Sequence, residues 1–200
     1  MDKRSSRNNH FFAFLSRMKY INRWGLMRNT QVENIQEHSL QVAIVAHALA
    51  IIGKRYFNRQ VDENKVAVLG IFHDCNEILT GDMPTPVKYF NPEISKAYKA
   101  VERVSKDKLL SMLPEAIRQD YEKIIFIEEN ASEYESSLVK AADRISAYIK
   151  CIEEMKAGNT EFKKAGESIL KTIENLDMPE VDFFMKNFID SFSLSLDELD

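Results

Sequence analysis

The segment from about Asn34 to Tyr56 constrains the possible folds of this chain more strongly than any other part of the sequence. Apolar residues lie almost all round its helical circumference, at Leu40, Val42, Ala43, Ile44, Val45, Ala46, Ala48, Leu49, Ile51 and Ile52. Such a helix has almost no polar face, so other helices must cover it on several sides. The segment therefore predicts a helical bundle with this helix near its centre.

The rest of the chain is also typical of helices, and no stretch alternates between apolar and polar residues for long enough to indicate a sheet. A first helix is expected to begin at Phe11 and to fade near Arg23. Further helices are expected at about 62–80, 92–113, 114–127, 132–157, 160–176 and 179–192. A chain of 200 residues without a Pro-, Gly- or Ser-rich linker suits one domain. We therefore predict an all-α, single-domain bundle over 1–200, with a core at about 11–157 and C-terminal helices at about 160–192.

The charge balance and the cysteines exclude some classes of partner. The 27 Lys and Arg residues are balanced by 31 Asp and Glu residues, so no basic face indicates nucleic acid or an anionic membrane. The apolar run Phe11–Leu15 is too short for the core of a signal peptide, and no stretch approaches the length of a membrane span. Cys75 and Cys151 lack metal-finger spacing, which favours reduced thiols. We expect a soluble, unprocessed cytoplasmic protein that binds neither nucleic acid nor membrane.

An adjacent His73–Asp74 pair lies inside the apolar, helix-compatible stretch Leu69–Leu79. Burial of an imidazole or a carboxylate without a partner costs on the order of several kcal/mol, and a cation would be a suitable partner for both groups. On a continuous helix Glu77 would lie on the same side as the pair, four residues after His73. One interpretation is a metal site with a neighbouring acid–base group. The other is a hydrogen-bonded core histidine with a capping aspartate.

Two more residues join this pair as candidates. His38 lies in the first turns of the predicted central helix, whereas His47 lies about half a rotation away and cannot face the same site. Asp143 lies among small and apolar residues in the middle of another predicted helix, although it could also be a surface aspartate paired with Lys140 or Arg144. Imidazole and carboxylate ligands from separate helices are a known way to hold a divalent cation in a helical core. The combined set therefore predicts a metal site of mixed nitrogen and oxygen ligands.

A His, an adjacent His–Asp pair and a distant Asp are the defining pattern of the HD-domain phosphohydrolases, a superfamily that this chain resembles. The resemblance is closer still to the bacterial 5′-deoxynucleotidases of the YfbR type, and it covers nearly the whole chain. It lies in the strings Phe11–Ala13, Ile21–Trp24, Glu37–Ala43, Leu79–Phe90 and Ser191–Glu198. Gly25 and the additional N-terminal residues are departures that we expect to be harmless.

The resemblance implies a bundle of the HD-domain type and a homodimeric enzyme with one divalent cation, such as cobalt or manganese. Its implied substrates are deoxyribonucleoside 5′-monophosphates, which it would hydrolyse to deoxynucleoside and phosphate. The implied metal ligands are His38, His73, Asp74 and Asp143. The implied substrate-binding residues are Arg23 at the phosphate, Trp24 beside the sugar, Asp82 at a sugar hydroxyl, and also His38 and Thr85. Glu77 would be the catalytic residue that transfers protons.

Other interpretations stay open for several of these residues. Without the resemblance, Arg23 is equally a charge at a helix C-terminus, Trp24 a core aromatic residue and Asp82 a turn residue. No histidine follows His73 in the sequence, so one metal ion is expected rather than two. Triphosphate hydrolysis is the alternative activity, but no Lys/Arg cluster for a polyphosphate is evident near the site. A non-catalytic HD module that binds a metal or nucleotide is the alternative of a different class, and the presence of Glu77 argues against it.

Aromatic residues recur near the C-terminus, at Phe183, Phe184, Phe188 and Phe192. They share one broad face of the last predicted helix, which is either part of the core or part of a dimer interface. Together with the resemblance, this face favours a homodimer.

Overall fold

A helix from Ile35 to Tyr56 lies at the centre of the structure, as its apolar circumference predicts. The structure is a computed structural model that describes residues 9–199, so residues 1–8 and 200 of the predicted 1–200 domain, including the additional N-terminal residues, lie outside the described part. Its α-helices are α1 (Phe11–Leu15), α2 (Ile35–Tyr56), α3 (Glu63–Phe72), α4 (Glu77–Thr80), α5 (Thr85–Lys88), α6 (Pro92–Ser111), α7 (Glu115–Ile125), α8 (Ile127–Asn130), α9 (Glu133–Lys156), α10 (Lys163–Glu174) and α11 (Pro179–Phe188). Short 3₁₀ segments lie at Ser16–Tyr20, Thr160–Phe162, Ile189–Ser193 and Leu196–Glu198. No strand occurs within 9–199, where one isolated bridge joins Asn22 and Asn34.

A capping box defines the start of α2. The Asn34 side chain accepts hydrogen bonds from the backbone N–H groups of Gln36 and Glu37, and the Glu37 carboxylate accepts one from the backbone N–H of Asn34. These bonds satisfy N–H groups that have no partner within the helix. His38 follows directly, in the first turn, and its side chain is fully buried.

Two apolar clusters make up the core. The larger one surrounds α2 and draws on α3, α9 and α11, with members such as Leu49, Leu69, Leu138, Ile145 and Phe184. The smaller one contains Phe11, Cys75, Leu109, Leu110, Leu113, Ile125 and Phe126. Leu69 of α3 belongs to the first cluster, and Cys75 in the turn after α3 belongs to the second. The segment between them, which carries His73 and Asp74, is therefore anchored on both sides.

The predicted helix at 62–80 is wrong in its middle. It is two helices, because α3 ends at Phe72, a turn follows and α4 begins at Glu77. Glu77 N donates to Asp74 O, three residues back, which is the spacing of a 3₁₀ turn. His73 Nδ1 lies 2.8 Å from the carbonyl oxygen of Gly70 and so satisfies one of the carbonyls at the end of α3. The His–Asp pair therefore lies at a helix end and not inside a helix.

The first predicted helix is also shorter than expected. α1 ends at Leu15 and continues as a 3₁₀ segment to Tyr20, after which the backbone is extended. A loop then returns to α2, closed by hydrogen bonds from Arg23 N to Glu33 O and from Ile35 N to Ile21 O, both 2.9 Å long. Arg23 and Trp24 therefore lie on a loop held at its base by backbone bonds.

The C-terminal aromatic residues are mostly core. Phe184 is buried in the larger cluster, and Phe183 and Phe192 pack against that cluster while partly buried. Only Phe188 of the four is largely accessible, at 45% exposure. In place of the predicted helix at 179–192, the structure has α11 followed by the 3₁₀ segment Ile189–Ser193.

Among residues 9–199, one helix is long and apolar enough to span a membrane by length and composition alone, contrary to the expectation from sequence. This helix is α2, with 22 residues and a mean hydropathy of 1.3 over its most apolar window. In that window 56% of the residues are buried inside the bundle. The central helix of a bundle has the same composition, because protein surrounds it on several sides.

Gly70→Ala should destabilise the fold. A Cβ at Gly70 would lie 2.8 Å from the Cα and 3.0 Å from the backbone N of Ala43, so α2 and α3 would have to separate. We expect the free energy of unfolding to fall by about 1–3 kcal/mol in urea denaturation followed by circular dichroism. Gly25→Ala is the control, because a Cβ there meets nothing within 4 Å. Equal stability of the two variants would contradict the close crossing of α2 and α3.

Candidate metal centre and adjoining cavities

The candidate ligands come from three elements of the bundle. His38 lies in the first turn of α2, His73 and Asp74 in the turn after α3, and Asp143 in the middle of α9. One ligand atom each of His38, His73 and Asp74 lies within 4.8 Å of the other two. Asp143 adjoins this group through His38, since its Oδ1 is 3.0 Å from His38 Nε2. The structure thus brings the four side chains together.

The His73 ring has one nitrogen committed and one available. Nδ1 faces the carbonyl oxygen of Gly70, which can only accept, so Nδ1 carries the hydrogen. Nε2 is buried without a hydrogen-bond partner in the described part of the chain, although Asp74 Oδ2 lies 3.0 Å away. Burial lowers the pKa of His73, but the charge of Asp74 outweighs it and raises the pKa to about 9. Without a cation, a proton therefore takes the position at Nε2.

The His38 ring lies between hydroxyl and guanidinium groups on its Nδ1 side and a carboxylate on its Nε2 side. Its Nδ1 lies 2.9 Å from Arg23 Nη1 and 3.2 Å from Ser146 Oγ, and its Nε2 faces Asp143. Arg23 can only donate, so Nδ1 accepts in this arrangement and Nε2 donates to Asp143. Burial and the charge of Arg23 lower the pKa of His38. Ser146 Oγ can also accept, and this permits the other tautomer, with the lone pair at Nε2.

The two aspartates supply negative charge to the same volume. Burial opposes ionisation of Asp74, but the charge of His73 overcomes it and lowers the pKa of Asp74 well below its usual value. Burial likewise opposes ionisation of Asp143, and its contact with His38 lowers the Asp143 pKa. Two ionised carboxylates and two imidazoles form a donor set that fits a divalent transition metal. The unpartnered Nε2 of His73 is the atom that most clearly fits a ligand role.

Glu77 lies beside this group without belonging to it. It is the first residue of α4, it is 7% exposed, and its Oε2 is buried with no hydrogen-bond partner among residues 9–199. Burial, and then the charges of Asp74 and Asp82, raise the pKa of Glu77 to about 10. A buried carboxyl group with a strongly raised pKa next to a charged site is a candidate for proton transfer.

Glu33, which the sequence analysis missed, positions Arg23 and Trp24. Its Oε2 lies 2.6 Å from Arg23 Nη1 and 3.0 Å from Trp24 Nε1. Burial would lower the pKa of Arg23, but Glu33 and the site aspartates raise it above its usual value. A lone glutamate in a polar loop has no recognisable pattern. The only signal in the sequence is that a buried Arg23 requires an acidic partner.

Trp24 has a strained backbone. Its φ of 59° lies in the left-handed region, which a bulky residue rarely adopts. Such strain costs on the order of 1–3 kcal/mol and persists only where the surroundings hold it. Here the Trp24 N–H donates to Asp82 Oδ2 at 3.2 Å, the indole N–H donates to Glu33, and the ring packs 5.2 Å from that of Phe162. Three contacts therefore fix the orientation of this half-buried indole.

The loop that carries Glu33 is tied to α9 by Glu154, a side chain only 1% exposed. Glu154 accepts hydrogen bonds from the N–H and the hydroxyl of Thr30, at 2.9 and 2.7 Å, and from the N–H of Gln31 at 3.2 Å. Burial opposes its ionisation, but Lys150, 2.5 Å away, lowers the pKa of Glu154 well below its usual value. This buried ion pair thereby sets the position of the loop.

A cavity of about 670 Å³ adjoins the candidate ligands at Asp143. Its lining includes all the predicted substrate-binding residues except His38, namely Arg23, Trp24, Asp82 and Thr85. Most of the remaining lining is apolar, including Leu26, Met27, Met83, Pro84, Ala147 and Ile169, and Arg144, Ser168 and Thr172 also belong to it. Its volume is within the range of small-molecule sites. The cavity can therefore accept a ligand with a charged end near Arg23 and an apolar remainder.

A second cavity, of about 710 Å³, meets the first at Asp143 and Tyr89 and also touches His73 and Asp74. Its lining contains the basic residues Lys88, Lys99, Arg103, Lys106 and Lys140. The expectation that no Lys/Arg cluster lies near the site is therefore wrong. These residues come from α5, α6 and α9, so no run in the sequence reveals the cluster.

Comparison with known proteins gives a consistent result. The family model described as 5′-deoxynucleotidase YfbR-like matches residues 10–192. A 5′-deoxynucleotidase from Yersinia pestis (strain Pestoides F) is 52% identical over 190 residues, covering 95% of this chain and 96% of the relative. A 5′-deoxynucleotidase from Yersinia pseudotuberculosis serotype O:3 (strain YPIII) matches with the same values.

Two solved structures share the fold. An HD-domain phosphohydrolase from Listeria innocua has a TM-score of 0.79 at 22% identity, covering 92% of this chain and 88% of that one. The cyanophage S-2L HD phosphohydrolase, bound to dA and one catalytic Zn²⁺ ion, has a TM-score of 0.67 at 19% identity, covering 90% and 96%. The predicted all-α bundle of the HD-domain type is confirmed.

Proposed function

The chain belongs to the 5′-deoxynucleotidase YfbR-like family and is a phosphomonoester hydrolase; we propose that it converts deoxyribonucleoside 5′-monophosphates to deoxynucleoside and phosphate with one divalent metal ion. The observation that carries this proposal is that the four candidate ligands meet beside a cavity lined by Arg23 and Trp24. The dA and Zn²⁺ bound in the cyanophage S-2L HD phosphohydrolase, which shares this fold, support a site for a metal and a deoxynucleoside.

The metal would be held by Nε2 of His38 and His73 and by the carboxylates of Asp74 and Asp143. When bound, a divalent ion supplies Lewis-acid polarisation of the phosphate and a lowered pKa for a water molecule. Cobalt or manganese suits this mixed donor set, and zinc suits it as well. In each ring Nδ1 has an acceptor, the Gly70 carbonyl for His73 and Ser146 Oγ for His38, which would fix the ring orientation.

The His38 tautomer with its hydrogen on Nδ1 would also free the Arg23 guanidinium from its hydrogen bond to that nitrogen. If Nε2 of His38 holds a cation, Nδ1 carries the hydrogen, and the Arg23 guanidinium no longer has an acceptor there. Glu33 continues to hold Nη1 at 2.6 Å, so the guanidinium stays beside the cavity with donors to spare. A planar guanidinium with free donors binds two phosphate oxygens in a charge-assisted fork. Arg23 would therefore orient the phosphate.

Glu77 would move the proton. In the reaction the water oxygen bonds to phosphorus while the bond from phosphorus to O5′ breaks, so the water loses a proton and O5′ gains one. The Glu77 carboxyl lies close enough to Asp74 for the charge of Asp74 to raise its pKa. Burial raises the pKa of Glu77 more than this charge does. A dication held by Asp74 would balance the charge and so bring the pKa of Glu77 closer to its usual value. Glu77 can then accept the proton of the water and return it to the leaving oxygen.

The deoxynucleoside would occupy the 670 Å³ cavity. Trp24 would lie against the sugar, because it follows Arg23 in sequence and its backbone is fixed by Asp82. Asp82 uses Oδ2 for Trp24 and keeps its other oxygen for a sugar hydroxyl, and Thr85 lies nearby in the same lining. The apolar side chains of the cavity would contact the base.

We also infer a one-domain cytoplasmic homodimer. Since the C-terminal phenylalanines are mostly core, we place the interface on α6, where Ile94, Ala97, Val101 and Val104 are exposed at the spacing of a two-helix seam. Phe90, 76% exposed, lies just before the start of α6. Light scattering at micromolar concentration should give the mass of two chains for the wild type and of one chain for Val101→Glu. A monomeric wild type would contradict the dimer.

Phosphate release from deoxy-AMP tests the function. Metal-stripped protein should release no phosphate above background in a colorimetric assay, and added Co²⁺ or Mn²⁺ should restore release. AMP and dATP should be poorer substrates than deoxy-AMP. No release with any divalent metal would contradict the proposal, whereas a preference for dATP would favour triphosphate hydrolysis.

Glu77→Gln and His73→Ala should separate proton transfer from metal binding. Glu77→Gln keeps the shape of the side chain but removes its proton exchange, so kcat should fall by roughly two to four orders of magnitude with the metal retained. His73→Ala should lose both metal and activity. Metal analysis after gel filtration, together with the phosphate assay, measures both effects. If Glu77→Gln loses its metal, Glu77 is a ligand or holds one.

Trp24→Ala should narrow the preference for deoxy-AMP over AMP. An indole packed where the 2′-hydroxyl would project leaves that group without a hydrogen-bond partner, at a cost of about 1–3 kcal/mol. This corresponds to a preference of roughly ten- to a hundredfold. The ratio of kcat/KM for the two substrates, measured in the metal-loaded variant, is the readout. An unchanged ratio would place sugar selection elsewhere, with Asp82 the next residue to substitute.

A further inference from the structure

The 710 Å³ cavity has no role in the function proposed above. One wall is a single face of α9, where Ser136, Val139, Lys140 and Asp143 recur at helical spacing. The opposite wall is the face of α6 that carries Lys99, Glu102, Arg103 and Lys106, and residues 126–129 also line the cavity. The cavity therefore extends from the candidate metal ligands between two helices.

The lining of this cavity contains five basic residues and five carboxylates, but not every one of them pairs with another. Three of its cations have carboxylate partners: Lys88 pairs with Glu102 at 2.8 Å, Lys106 with Glu128 at 3.5 Å, and Arg103 with Glu129. The other two, Lys99 and Lys140, are exposed and form no ion pair within 9–199. Of the remaining carboxylates in the lining, Asp74 and Asp143 are those assigned to the metal. With that metal bound, the cavity has a surplus of positive charge.

Lys88 connects this cavity to the reaction site. Its Nζ is held by Glu102 and lies 4.7 Å from the centre of the Tyr98 ring. Lys88 also lines the same cavity as His73 and Asp74, two of the candidate metal ligands. The cations of the cavity, including the exposed Lys99 and Lys140, therefore share one lining with three candidate metal ligands.

We propose that this second cavity binds inorganic phosphate, the product of the reaction, and provides its exit separately from the deoxynucleoside. The proposal rests on the proposed function. The two products differ in chemistry in the same way as the two cavities: the deoxynucleoside is uncharged and partly apolar, whereas phosphate is an anion. A phosphate formed at the metal has the basic cavity on the side of His73 and Asp74, and the apolar cavity on the side of Arg23 and Trp24. Phosphate therefore leaves without passing the bound nucleoside.

Isothermal titration calorimetry on the metal-loaded protein tests this assignment. Inorganic phosphate is titrated with and without saturating deoxyadenosine, and the two values of Kd should agree within about twofold, because the ligands occupy different cavities. Lys99→Gln/Lys140→Gln should weaken phosphate binding roughly tenfold, the effect of two partly screened charges. The affinity of this double variant for deoxyadenosine should equal that of the wild type. The matched control is Lys96→Gln/Lys108→Gln, which removes two exposed charges from α6 that do not line the cavity.

Each outcome decides one question. Phosphate binding that is equally strong in both double variants would overturn the assignment and leave Arg23 and the metal as the only phosphate-binding groups. Displacement of phosphate by deoxyadenosine would overturn the separate exits. Failure of deoxyadenosine to bind would count against the proposed function itself, while the comparison of the lysine variants would still test the phosphate site.

Discussion

The site depends on the close crossing of α2 and α3. Gly70 lies against the backbone of Ala43, with no room for a side chain between them. This contact brings the rings of His38 and His73 to 5.3 Å from each other, although the two residues are 35 positions apart in the chain. The carbonyl of the same glycine orients the His73 ring. Gly70 therefore both permits the close packing of α2 and α3 and orients the His73 ring.

Charges that are costly to bury hold the other half of the site. The Lys150–Glu154 pair anchors the loop before α2. Glu33 on that loop binds the side chains of Arg23 and Trp24, and Asp82 accepts a hydrogen bond from the strained Trp24 backbone. Removing one partner from such a network leaves an unpaired buried charge, which destabilises the protein more than the loss of one partner from an exposed ion pair. The arrangement fixes the direction of the guanidinium and the indole before a ligand binds. Preorganisation of this kind lowers the entropy lost on binding.

The sequence predicts the helical bundle and its central helix because the positions of apolar residues around a helix indicate which of its faces are buried. It also selects His38, the His73–Asp74 pair and Asp143 as candidate ligands, since such groups are hard to explain as packing, and the structure brings these side chains together. The sequence does not predict the end of α3 at Phe72. There the His73 side chain hydrogen-bonds to the carbonyl of Gly70, and the predicted continuous helix does not form. Glu33 and the cavity lysines are missed because residues that are distant in sequence meet only in the fold.

We propose that one divalent ion binds two imidazoles and two carboxylates supplied by three elements of the bundle. Cobalt K-edge X-ray absorption on the Co²⁺-loaded wild-type chain measures this donor set most directly. This donor set predicts one cobalt per chain, two imidazole nitrogens among the ligands, oxygen at the remaining positions and no sulfur. A sulfur ligand, a single imidazole, or a second metal scatterer at about 3.5–4 Å would contradict it.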